Sequence, residues 1–380
     1  MFVAWRDMRF ATGRFVLIGA VVTLITLLVG FLSGLTAGLA NQNISAVTGL
    51  GANSIVFSAP ADGEQASFSD SVVTKDMASD WAAVPGVDRA EPIGITQTRL
   101  ETDDTRTSVS LFGVEPSFGA DAPSADGELR LSAAAAKELK ITTGDSVSAG
   151  AKQFTVESVG DDAWYSHTPV VWMTAADWRT MAAAMSGAGA VPTTGAEAGT
   201  AGTTASAASG APFATVIAVF GNPTGAASDA ADAQAGTVAK PILPALMAIG
   251  SFRSEIGSLL LMVAMLFGIS ALVIGAFFTV WTIQRRGDVA ILKALGATTK
   301  RLTADALGQA FVLLLVGVGV GIGLTALLGS LAGTALPFVL SPLTTLAPGV
   351  VMIVLGLAGA AFALRSILTA DPLTALGGNR

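Results

Sequence analysis

The chain has 380 residues, a mean hydropathy of +0.64, 52% hydrophobic residues and only 13% charged ones. That balance excludes an ordinary soluble domain, and its polar interruptions exclude a chain buried wholly in lipid. The formal charge of −7 is unevenly spread: residues 41–255 hold 11 Lys and Arg against 24 Asp and Glu, and the remainder holds 10 against 4.

In chain order, Met1 to Arg14 sets Phe2, Trp5 and Phe10 against Arg6, Arg9 and Arg14. It reads as an amphipathic cytoplasmic lead-in, either lying in the headgroup zone or simply flanking an anchor. Residues 15–39 form the first apolar run long enough to span a bilayer. It exceeds the usual core of about 7–15 apolar residues in a secretory signal, and no A-x-A site follows, so a retained anchor is expected. Gly30, Gly34 and Gly38 recur at every fourth position in it. Such a stripe admits close approach by another helix or by a flat ligand.

Residues 40–256 read as an extracytoplasmic α+β domain. Short β-rich runs (Ser54–Phe57, Thr107–Phe112, Gln153–Val159, Pro169–Met173) alternate with helical pieces, the clearest being Ser132–Lys140 with Ser132 as its N-cap. A turn at Gly144-Asp145 and two further strands are expected after it. Residues 186–212, rich in Gly, Ala, Ser and Thr, read as a flexible insertion that buries too little to fold.

Three more spans are expected at 257–282, 306–331 and 346–364, with an outer loop at 332–345 and a cytoplasmic tail at 365–380. The third repeats the small-residue theme with Gly317, Gly319, Gly321 and Gly323. Between the second and third lies QRRGDVAILKALGATTKRL (284–302), with five Lys and Arg in nineteen residues. Val289, Ile291, Leu292 and Leu295 fall at roughly helical spacing, and Gly296 supplies a C-cap. This is a surface helix offering a face to a cytoplasmic partner. Basic residues on this segment and beside both termini place the termini inside and the acidic domain outside. An acidic exterior argues against nucleic acid as a partner.

No G-x-x-x-x-G-K-[ST] loop occurs, so ATP is not expected to bind here through a P-loop. One histidine and no cysteine remove disulfides, thiolate catalysis, cysteine-ligated zinc and paired-histidine zinc sites. No G-x-S-x-G elbow accompanies the histidine. An active site belonging to this chain is therefore not expected. The candidate functional residues cluster near the outer end of the spans. Glu255 is an ionisable group at a membrane boundary, either functional or simply solvated or paired with Arg253. Met262 and Met265 follow it on the same helix, a residue type that commonly serves as core filler. Tyr165 and His167 carry metal-ligating atoms, or serve structurally.

The layout of one span, an outer domain and three spans resembles the MacB/FtsX-type ABC transporter permeases. The segment RRGDVAILKALGATTKRL is similar to that family's coupling segment, and Thr369-Ala-Asp-Pro-Leu-Thr-Ala-Leu376 to its Asp-Pro-x-x-Ala-Leu ending. Within it, FLSGLTAGLANQNIS from Phe31, YSHTPVVWM from Tyr165, SFRSEIGSLLLM from Ser251 and AFFTVWTIQRRGDVAILKALG from Ala276 resemble the haem-exporter (hemin transport system) permeases of Gram-positive bacteria. The middle of the outer domain matches loosely.

The resemblance implies a multi-pass cell-membrane homodimer working with two copies of a separate cytoplasmic ATPase subunit, which binds the ATP. It implies haem as cargo, no intrinsic cofactor, and a mechanotransmission cycle that squeezes a lateral cavity in the outer leaflet. On that reading Glu255 is an iron ligand or gate and the sole metal-related position. Arg253 would lie near a propionate, and Met262, Gly30, Gly34 and Gly38 would line the cavity. Tyr165 and His167 match the family's Tyr-x-His run. Arg285, Arg286, Asp288, Ile291, Leu292, Lys293, Leu295 and Gly296 would meet the ATPase. Two alternatives stand beside it: a permease of this architecture for peptides, antibiotics or lipoproteins, and a non-transporting mechanotransmitter that regulates an outer hydrolase.

Overall fold

The computed structural model describes residues 12–119, 122–187, 212–284, 287, 291, 293, 295–333 and 336–368. The chain divides into a helical unit, residues 1–39 with 257–380, and an α+β unit, Ala40–Ile256. Among the described residues, four helices are long and apolar enough to cross a membrane: α1 (Thr12–Gly49), α7 (Gly250–Gln284), α8 (Thr299–Ala332) and α9 (Pro342–Leu368). The fold is therefore four transmembrane helices with an α+β domain between the first and second, as the sequence indicated.

The helices outrun the apolar windows because polar and capping residues extend them. α9 starts at Pro342, not at residue 346. Proline at the first helical position loses no intrahelical bond, and the Ser341 hydroxyl accepts from Thr344 N at 3.2 Å. α8 likewise begins at Thr299, well before the apolar run.

Within the helical unit, α1 and α8 approach along small residues. A Cβ on Gly317 would meet Val22, and one on Gly321 would meet Thr26 at 2.6 Å. Thr23 Oγ1 donates to Gly317 O at 3.0 Å, a bond that hydrocarbon surroundings favour. Ile18, Val22, Val29, Phe278, Trp281, Leu314, Val318 and Met352 make the shared core. Leu260, Leu261, Met265, Ile269 and Leu272 of α7 stay exposed, apolar surface suited to lipid or to other helices.

In the α+β unit the strands are β1 (Ser54–Ser58), β2 (Val87–Glu101), β3 (Arg106–Val114), β4 (Glu128–Ser132), β5 (Ser146–Ala149), β6 (Lys152–Gly160), β7 (Trp164–Tyr165), β8 (Thr168–Thr174), β9 (Val216–Gly221) and β10 (Thr237–Pro241). They make one mixed sheet in the order β10-β1-β9-β2-β3-β8-β4-β6-β5, with β7 hairpinned onto β8. The β3–β8 and β4–β6 pairs are parallel and the others antiparallel. The two-residue strand period sorts side chains to opposite faces. Leu111 and Val171 join Leu129, Phe154 and Trp178, whereas Phe112, Val170 and Trp172 join Phe57, Ile93 and Phe252. The expected Ser132 cap is present: its hydroxyl accepts from Ala135 N at the head of α3 (Ala133–Leu139). Most of the expected insertion lies outside the described residues.

Candidate functional site

The β7–β8 hairpin turns through Ser166 and His167, with φ of 50° and 64°. A two-residue turn of this hand needs left-handed backbone at both positions, which favours Asn or Gly over the residues found here. The turn is held from outside. Ser166 N donates to Asn43 O at 3.1 Å and His167 N to Gln42 O at 2.9 Å, while Trp164 N donates to Ser45 Oγ at 2.9 Å. All of these acceptors belong to the 40–49 end of α1.

This docking brings three side chains from distant segments together. His167 Nε2 lies 3.0 Å from Glu255 Oε1 and 2.9 Å from Oε2. Asn43 Nδ2 donates to Glu255 Oε2 at 3.1 Å and sits 3.0 Å from His167 Nε2. The amide is oriented by Ser251, whose hydroxyl donates to Asn43 Oδ1 at 2.6 Å, and Ser251 Oγ in turn lies 2.8 Å from Ser166 Oγ. Asn43 is fully buried, whereas the His167 and Glu255 side chains are 34% and 40% exposed. The arrangement is a solvent-reachable carboxylate with its orientation fixed on two sides.

Of the sequence candidates within residues 40–256, the structure unites Glu255 and His167 and gives Arg253 and Tyr165 other neighbours. Arg253 points away from Glu255 to Gln65, with Nη1 3.2 Å from Oε1, so the alternative of an Arg253–Glu255 pair gives way to the His167–Glu255 one. Tyr165 lies in the core, its ring 5.7 Å from Phe68 and 5.6 Å from Phe112, and burial pushes its phenol well above the usual range. A buried neutral phenol among aromatic rings is a core residue, not an exposed ligand. Met262 is 44% exposed on α7.

Gly30, Gly34 and Gly38 face residues of the same unit. Cβ atoms there would meet Thr325 at 2.8 Å, the Phe338 ring at 2.3 Å and Pro337 O at 1.7 Å. Of the two readings of the stripe, close packing is what this conformation displays, against α8 at Gly30 and against the loop residues Pro337 and Phe338 at Gly38 and Gly34.

In the basic segment, Leu295 N bonds to Ile291 O and Gly296 N to Lys293 O, both at 3.0 Å, and Gly296 has φ 94°. That is a helix end closed by a left-handed glycine. Ile291 and Leu295 are 62% and 79% exposed. Arg285, Arg286, Asp288, Leu292 and the Asp-Pro ending lie outside the described residues. Sequence reading missed Asn43 and Ser251. Its available signal was the polar break Asn41-Gln42-Asn43 directly after the first apolar run.

Residues 260–372 match the FtsX-like permease C-terminal family. The four long apolar helices mark a multi-pass membrane protein, and the match makes its C-terminal part similar to FtsX-like permeases. The chain is 38% identical over 130 residues to the hemin transport system permease protein HrtB of Staphylococcus haemolyticus, covering 34% of this chain and 37% of that one. It is 30% identical over 132 residues to its Staphylococcus epidermidis counterpart. Across 100% of this chain and 99% of the relative, it is 26% identical to an uncharacterized ABC transporter permease of Mycobacterium tuberculosis. The matched stretch thus spans under two-fifths of the length of the HrtB proteins. Over residues 260–372 the chain resembles FtsX-like permeases, and over 130 residues a hemin transport permease.

Proposed function

We propose that this chain is the permease subunit of an ABC-type efflux pump that exports haem from the membrane, driven by ATP hydrolysis on a separate cytoplasmic subunit. The observation that carries the reading is Glu255, a half-exposed carboxylate at the head of a 35-residue apolar helix. An ionisable group at the entry to a membrane-length helix is a functional-site candidate, and an iron-centred, membrane-soluble cargo would use its carboxylate. The name of the staphylococcal relatives points to hemin. Glu255 would take the iron or gate its passage, and Met262 would contribute a soft apolar contact on the same helix. Arg253, held at Gln65 without cargo, is free of Glu255 and would have to swing to reach a propionate.

The exposed Ile291 and Leu295 would seat in the ATPase subunit, so that nucleotide-driven movement of that subunit is transmitted along α7 and α8. The distribution of Lys and Arg supports both termini inside, and the resemblance to these permeases implies a homodimer with two ATPase copies. Haem titration of the purified permease, read by Soret absorbance, tests the cargo. The proposal expects a saturable shift that Glu255→Ala abolishes. No shift in a preparation that still stimulates its ATPase would reject haem and leave a permease for another cargo, or a mechanotransmitter that moves none.

A further inference from the structure

Glu255 is engaged on both oxygens. His167 Nε2 is within 3.0 Å of each, and Asn43 Nδ2 donates to Oε2 at 3.1 Å. A carboxylate offers about four acceptor positions, so a cargo arriving at Glu255 meets an acceptor already committed to a neighbour. That neighbour is held in place by a constrained piece of backbone. His167 and Ser166 occupy left-handed φ, a region that residues other than glycine keep only where their surroundings hold them. The surroundings here are the Gln42 and Asn43 carbonyls and the Ser251 hydroxyl. The imidazole is thus presented to the carboxylate at fixed range. With about a third of each side chain open to solvent, the contact is also able to part without unfolding the domain.

We infer that His167 is a built-in competitor for the Glu255 carboxylate. It holds the carboxylate when no cargo is bound, yields it to the cargo's metal centre, and returns to displace that centre at release. The inference rests on the proposed role of Glu255 in cargo binding. It assigns His167 to release, acting through Glu255, and gives a sign opposite to that of a ligand or a merely structural group. Withdrawing the imidazole should tighten cargo binding and slow its departure.

The test uses hemin and the full-length chain with its ATPase subunit, comparing wild type, His167→Asn, His167→Gly, His167→Gln and Glu255→Ala. Asn and Gly accept left-handed backbone, so they keep the turn; Gly has no side-chain donor, and the Asn amide ends one bond short of the reach of imidazole Nε2. A hydrogen bond to a charged group, discounted for its exposure, corresponds to hemin binding about five- to tenfold tighter in His167→Asn and His167→Gly. The change should fall mainly in the dissociation rate. His167→Gln, which can again reach the carboxylate with an N–H, should return toward wild type. If wild type binds and Glu255→Ala does not, but His167→Asn and His167→Gly bind equally or more weakly, the competitor role is overturned while the Glu255 reading stands. If wild type gives no hemin shift at all, the Glu255 reading falls and this inference falls with it.

Discussion

Gly38→Ala separates a packed contact between α1 and the 337–338 loop from a free cavity wall. A methyl at this position would sit 1.7 Å from Pro337 O and 2.9 Å from Phe338 N, both backbone atoms. Reaching even a 3.0 Å contact requires the two segments to part by about 1.3 Å, more than the gap that already forfeits much of a dispersion contact. The same separation pulls Val339 N from Gly34 O, now 3.1 Å apart, and Phe31 from Phe338, whose rings lie 5.1 Å apart. Overpacking of this kind costs about 1–3 kcal/mol where a neighbour can adjust, and the upper end applies because the neighbour is backbone. At about 2–4 °C per kcal/mol, the melting midpoint of the purified full-length chain should fall by about 6–12 °C. Gly319→Ala is the control: nothing lies within 4 Å of its added methyl, so the midpoint should hold or rise slightly. Equal midpoints for Gly38→Ala and wild type, or an equal fall in both variants, would refute the packing argument.

Further outcomes follow from particular contacts. Trp81, fully buried with Nε1 donating to Thr237 Oγ1 at 3.0 Å, should cost about 3–5 kcal/mol as Trp81→Ala in denaturant unfolding of the full chain. Tyr165 is the one tyrosine of the chain, so tyrosinate absorbance reports it alone. Its phenol is raised by burial, so the folded state keeps a proton that the unfolded state loses above about pH 10. Its contribution to stability is therefore fully present below about pH 10 and declines as pH rises past that value, and tyrosinate should appear only together with unfolding. In the basic segment, Ile291→Asp and Leu295→Asp should reduce ATPase activity of the assembled complex to that of the ATPase subunit alone. Melting of the permease should be unchanged, because both side chains face outward.

The spans were legible because apolar length is a local property, and β1, β3, β5, β6 and β8 because their β-rich runs and turn residues are local too, whereas β2, β9 and β10 were not anticipated. Ser132 capped its helix for the same reason: the hydroxyl needs only the backbone three residues on. Helix ends were harder to place, since Pro342 and Ser341 extend α9 by capping chemistry outside the apolar window. Glu255 and His167 each stood out singly, by charge at a membrane boundary and by being the one histidine. Their pairing did not, because it depends on a hairpin tip docking against the end of α1, and Asn43, His167 and Glu255 are 124 and 88 residues apart along the chain. Tyr165 shows the same limit from the other side. Two residues from His167 in sequence, it enters a different environment, because it ends the strand and faces the aromatic core while His167 stands in the left-handed turn.

The most direct test of the central claim is haem content in membranes of cells loaded with hemin and expressing this chain together with its ATPase subunit. The account predicts that membrane haem falls when ATP hydrolysis is intact, and that it stays at the level of untransformed cells in Glu255→Ala and in a hydrolysis-dead ATPase. Membrane haem unchanged by the wild-type pair, with both subunits assembled and ATP being hydrolysed, would contradict it.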